Sequence, residues 1–157
     1  MLIQYRRSTQ TNQGETDMGN PAWTHLKPAQ GKQAADYITG TVKEGNESRP
    51  FSADVVIFED SVRFEFAGEQ YHSQPQDPAN ATGVLVTFLR TSPPDGTYHV
   101  GQPPFDRAVI LTPGDCLHFV QSGSITVLNN PKTKAVSGHM HFFAGNVEID
   151  AQYNVSR

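Results

Sequence analysis

"SGHMHFFAGNVEIDAQYNV", residues 137 to 155, decides the fold. In its first half Met140 and Phe142 alternate with His139, His141 and Phe143. In its second half Val147, Ile149, Ala151, Tyr153 and Val155 alternate with Glu148, Asp150, Gln152 and Asn154. Successive side chains of an extended chain point to opposite sides, so a period of two marks a strand with one buried and one wet face. Two such runs around a glycine read as a β-hairpin.

The apolar sets of both strands must face one core, and this restricts the turn. A two-residue turn at Ala144-Gly145 or at Gly145-Asn146 satisfies the condition, whereas a three-residue loop would set Met140 against Asp150. The first turn places His139 opposite Asp150 and His141 opposite Glu148. The second places His139 opposite Gln152 and His141 opposite Asp150. Either way two imidazoles share a face with two carboxylates, and opposed side chains have Cβ atoms about 4.5–5.5 Å apart. Two histidines and a carboxylate form a ligand set for a divalent metal such as catalytic zinc or non-haem iron. His139, His141, Asp150 and Glu148 are therefore the candidate metal ligands, set against the plainer reading of a solvated hairpin face.

The same alternation extends upstream. In "FSADVVIFE" (51–59) Phe51, Ala53, Val55 and Ile57 share one face. In "SVRFEF" (61–66) Val62, Phe64 and Phe66 alternate with Arg63 and Glu65, with a hairpin tip at Glu59-Asp60. "HSQPQDPANATG" (72–83) holds two prolines and no apolar period, and reads as a long loop of the kind that carries binding contacts. "VLVTFLR" (84–90) is apolar on both faces and predicts a central strand. "TSPPDG", "GQPPFD" and "TPGD" are turns. The expectation is an all-β fold: an antiparallel, jelly-roll-like β-sandwich or flattened barrel of about nine strands. Residues 1–20 read as a disordered tail and residues 21–157 as a single β domain, with an irregular segment in which Trp23 and Leu26 offer apolar surface.

"CLHFV" (116–120) adds two readings. Cys116 is expected as a small buried hydrophobe. His118 would face away from Leu117 and Phe119, and would add a third nitrogen to the pair if that face packed on the final hairpin. "TPGDCLH" (112–118) resembles the Pro-x-Gly-x-x-His turn and strand of cupins, and "HMH" resembles their His-x-His strand. In cupins the His-x-His strand comes first and is followed by a glutamate. Here the order is reversed, and Gly145 and Asn146 stand where the glutamate would be. What the resemblance implies is a jelly-roll-like sandwich. His25, His72 and His99 read as solvent-facing. Trp23, Tyr71, Tyr98 and Phe105 fall in or near loops, where aromatic rings cover core edges, stack on sugars or anchor a partner.

A net charge of −4 supplies no basic field for nucleic acid. No apolar run approaches the ~20 residues of a membrane-spanning helix, and "MLIQYRRSTQTNQGETDMGN" lacks the apolar stretch of a signal peptide, so a cytoplasmic location is expected, from Met1 or from Met18. The single cysteine allows no internal disulfide and no CxxC metal site. Nucleophile elbows, phosphate loops, HExxH and dinucleotide fingerprints are missing. The functional expectation is a non-enzymatic binding module that uses loops and sheet edges to hold a protein or small ligand. The alternative is a metal-binding jelly-roll protein or metal-dependent enzyme built on the His-x-His hairpin. "VEIDAQYNV" (147–155) is also read as a sheet edge able to pair with a second copy.

Overall fold

In the computed structural model, which describes residues 36–156, the alternating segments become antiparallel strands. In chain order they are β1 (Tyr37–Glu44), β2 (Glu47–Ser52), β3 (Val55–Glu59), β4 (Glu65–Tyr71), β5 (Ala81–Phe88), β6 (Gly96–His99), β7 (Phe105–Thr112), β8 (Cys116–Phe119), β9 (Ser122–Asn130), β10 (Ala135–Ala144) and β11 (Val147–Ser156). They form a six-stranded sheet, β2-β1-β11-β10-β9-β6, and a five-stranded sheet, β3-β4-β5-β7-β8. The two sheets pack as a β-sandwich, and the only helical element among the described residues is a 3-10 turn at Pro78–Asn80. No helix of the described residues is long and apolar enough to cross a membrane. The disordered-tail reading, Trp23 and Leu26 lie outside the described residues.

The described residues form eleven strands rather than about nine, partly because "FSADVVIFE" is not one strand. Ala53 N–H donates to Ile38 O at 3.0 Å in the six-stranded sheet, and Asp54 N–H donates to Glu69 O at 2.7 Å in the five-stranded one. The chain thus changes sheets within two residues. Phe51, Ala53 and Val56 enter the core between the sheets, while Val55 and Ile57 join a second buried cluster. Val62 also departs from expectation. It lies in the β3–β4 connection and is 79% exposed, whereas Phe64 is fully buried. Phe64 meets Phe66 and Phe88 edge-on, with ring centroids 5.8 and 5.2 Å apart. Phe66 stacks on Tyr153 at 4.6 Å and joins the two sheets.

The first and last strands are neighbours. β1 pairs with β11 from Tyr37↔Asn154 to Glu44↔Val147, and β11 pairs with β10 on its other side. The reading of "VEIDAQYNV" as an edge is therefore overturned: both sides of its ladder are taken. The edges are β2 and β6 in one sheet, and β3 and β8 in the other. Each flanking hairpin turns through a Gly-Asn pair, Gly45-Asn46 and Gly145-Asn146, with φ of 58° and 62° at the glycines. Only glycine takes that left-handed conformation without steric cost. The two turns lie side by side, with Gly45 N–H donating to Asn146 O at 2.9 Å.

Candidate functional site

The Gly145-Asn146 turn selects the second of the two registers, with His139↔Gln152 and His141↔Asp150. The side chains nevertheless make the pairs of the first. His139 Nε2 meets Asp150 Oδ1 at 2.6 Å, and His141 Nε2 meets Glu148 Oε1 at 2.6 Å. Both are diagonal contacts, which a twisted sheet brings within reach of a long side chain. His141 Nδ1 lies a further 3.9 Å from Asp150 Oδ2, so Asp150 stands between both imidazoles.

Met140, Phe142, Ile149 and Ala151 of the same strands are buried in the core, so the histidines and carboxylates face outward. This face is polar across its width: one row runs Thr41, Asp150, His141, Ser124, His99. The side chains of His139 and Asp150 are each 48% exposed. Phe143 completes the patch, its ring 4.5 Å from that of His141 and the residue 38% exposed.

Gly138 and Thr126 hold His139 in place. A Cβ on Gly138 would lie 1.9 Å from Thr126 O, so only glycine admits β9 at this distance. Thr126 Oγ1 accepts the His139 N–H at 2.9 Å, and Thr126 O accepts the Tyr153 hydroxyl at 2.7 Å. One threonine therefore fastens the His-x-His strand to its neighbour and to the core. Nothing in the alternating pattern announces this device; the small residue directly before His139 is its one signal in the sequence.

His118 does not join the array. It lies on β8 of the other sheet, paired with the core residue Ile110, and its Nε2 is hydrogen-bonded to Thr112 Oγ1 at 2.8 Å. It thus faces the inter-sheet side, while His139 and His141 face away from it. The cupin-like grouping of "TPGDCLH" with "HMH" ends there. Cys116 is exposed rather than buried, because β8 is a short edge strand. Among the described residues no three His, Cys, Asp or Glu side chains stand in a geometry ready to hold a metal ion.

The described loop aromatics are turned onto the fold. Phe105 packs against Phe88 at 5.6 Å, Tyr98 donates its hydroxyl to Pro94 O at 2.6 Å, and Tyr71 donates to Glu69 Oε2 at 2.7 Å. His72, at the start of the long loop, bonds Thr82 Oγ1 through Nε2 at 2.7 Å; burial, then nearby Arg49, lowers its pKa. A second group of polar residues is invisible to the sequence pattern. Glu65 and Glu69 lie on the outer side of the five-stranded sheet and are buried, Glu65 accepting from Thr87 Oγ1 at 3.0 Å. Burial raises the Glu65 pKa, against the opposing effects of Thr87 and Arg63. By alternation alone Glu65 belongs to the wet half of its strand.

Comparison with known proteins gives no match, neither to a family model, nor to a curated protein, nor to a solved structure.

Proposed function

We propose that this protein is a non-enzymatic binding module that presents the outer face of its six-stranded sheet to a ligand, with His139, His141, Glu148 and Asp150 at the centre. The observation that carries this reading is the position of Asp150, 2.6 Å from one imidazole and 3.9 Å from the other on an open face. Such an array offers adjacent donors and acceptors that a polar ligand engages without rearrangement of the backbone, and Phe143 beside it offers an apolar contact. A rigid sheet holds the groups in fixed register, which lowers the ordering cost of binding. Amide NMR of the full chain, titrated with divalent cations, simple sugars and dicarboxylates, tests it. Perturbations confined to β9, β10 and β11 are expected. Turnover of any of these compounds that is lost on changing His139 or His141 would replace the binding module with an enzyme.

A second reading follows from the same atoms. As they stand, no three of these side chains converge on one point. Rotation of His139, His141, Asp150 and Glu148 toward a common centre, with loss of the imidazole protons, would give a donor set that suits a divalent ion such as zinc or iron. Elemental analysis of the full chain, purified without chelator or affinity tag, separates the two readings. Stoichiometric metal in the native chain, lost in His139→Ala/His141→Ala, makes the ligand a cation. Metal-free protein that is not stabilised by added zinc leaves the polar surface.

A further inference from the structure

The two outer faces of the sandwich differ in kind. That of the six-stranded sheet is mainly polar, with Tyr37, Leu128 and Phe143 exposed singly upon it, whereas that of the five-stranded sheet carries Val55, Ile57, Leu85, Val109 and Leu111 in a buried cluster separate from the inter-sheet core. Leu111 is 0% and Leu85 2% exposed, although every described strand belongs to one of the two sheets and none lies over this face. Glu69 shares the face, directly between Val55 and Gly83, and is likewise 0% exposed. Side chains on the outside of a two-layer sandwich reach such burial only under a further layer of chain.

We propose that residues 1–35 form this layer, with Trp23 and Leu26 seated over the row of Ile57, Leu85 and Val109. The chain enters β1 at the right place: the Ile38 carbonyl accepts from Ala53, and the next residue, Asp54, bonds Glu69 at the β3–β4 side of the five-stranded sheet. Reach is ample. Trp23 precedes Asp36 by 13 positions, an extended span of about 40 Å. Five strands measure only about 19 Å across. Charge agrees as well. The segment carries Arg6, Arg7, Lys27 and Lys32 against Glu15 and Asp17, a balance of +2, and the face it would cover holds the buried carboxylates Glu65 and Glu69. Trp23 and Leu26 are large apolar side chains of the kind this face requires.

Trp23 is the only tryptophan of the chain, so its fluorescence reports on this segment alone. The experiment compares emission and acrylamide quenching in the full-length protein, in Leu85→Lys on the covered face, and in Thr41→Lys on the polar face. A blue-shifted, shielded indole is expected in the native chain and in Thr41→Lys. In Leu85→Lys a red shift and a several-fold rise in quenching are expected, with the far-ultraviolet β signal retained. Should Leu85→Lys not fold, trypsin cleavage after Lys32 in full-length Trp23→Ala serves instead, since Lys27 precedes a proline, and is expected to be at least several-fold faster than in the native chain. A solvent-exposed indole in the folded native chain, or equal cleavage of both chains, overturns the proposal. Light scattering that shows a dimer with Trp23 exposed overturns it in favour of a second copy on this face.

Discussion

His139 and Asp150 touch at 2.6 Å although they are not opposite one another in the ladder, where His139 faces Gln152. The contact is a property of sheet twist as much as of register. It predicts that the pair tolerates loss of either member. Both side chains are about half exposed, and exposed ion pairs contribute about 0.2–1 kcal/mol. A double-mutant cycle with His139→Ala and Asp150→Ala, followed by urea unfolding, is expected to give a coupling in that range. A coupling several times larger would mean that the array is a structural element of the fold.

Val62 and Phe64 offer a sharper contrast, since a simple alternating strand would give them equal roles. Phe64→Ala removes a ring that packs edge-on against three others, Phe58, Phe66 and Phe88. It is expected to cost about 3–5 kcal/mol. Val62→Ala, at a position 79% exposed, is expected within about 0.5 kcal/mol of the native chain. Similar unfolding midpoints for the two variants would show that Val62 contributes to the core as Phe64 does.

Gly138→Ala tests the close approach of β9 and β10. The added methyl would meet Thr126 O at 1.9 Å, so the strands must part and the Tyr153–Thr126 hydrogen bond must stretch or break. Overpacking typically costs about 1–3 kcal/mol, and a lost buried hydrogen bond adds about 1 kcal/mol. Thermal unfolding checks the magnitude, and a loss of order at His139 in NMR spectra is expected with it. A variant as stable as the native chain would remove Gly138 from the account of the site.

Glu65 gives a pH dependence with a definite sign. Burial raises its folded pKa above the ordinary glutamate value of about 4.3. Between the unfolded and the raised folded value the native state binds more protons, so the stability from this group is complete below the unfolded pKa and falls as pH rises through the folded one. Glu65→Gln keeps an oxygen for the Thr87 hydroxyl and removes the titration. The stability of the native chain minus that of Glu65→Gln is therefore expected to decline from acid pH toward neutrality in urea titrations. A difference that rises over the same range would contradict a buried Glu65.

Local pattern carries much of this architecture, and where it fails the reasons are physical. Alternation in "GHMHFF" and "VEIDAQYNV" is enough to place the histidines and carboxylates on one face, because strand faces depend only on neighbours in the chain. Where the chain changes sheets, at Ala53-Asp54, depends on hydrogen bonds to Ile38 and Glu69, partners that no local period encodes. The same holds for β11, whose second neighbour is the distant β1, and for His118, which lies in the other sheet. "VLVTF" is legible as a central strand, but its second apolar face is also a sign that something covers the sheet from outside.

The pairing of β1 with β11 joins residues more than a hundred positions apart, Tyr37 with Asn154. Contacts of such long sequence separation close slowly, because the intervening loop must be ordered first. During synthesis β1 and β2 can form a hairpin early, yet their sheet has no continuation until β11 has been made. Loss of the final ten-residue strand would not merely shorten an edge. It would cut the six-stranded sheet into two separate pieces, β2-β1 and β10-β9-β6, with the histidine strand left as a raw margin.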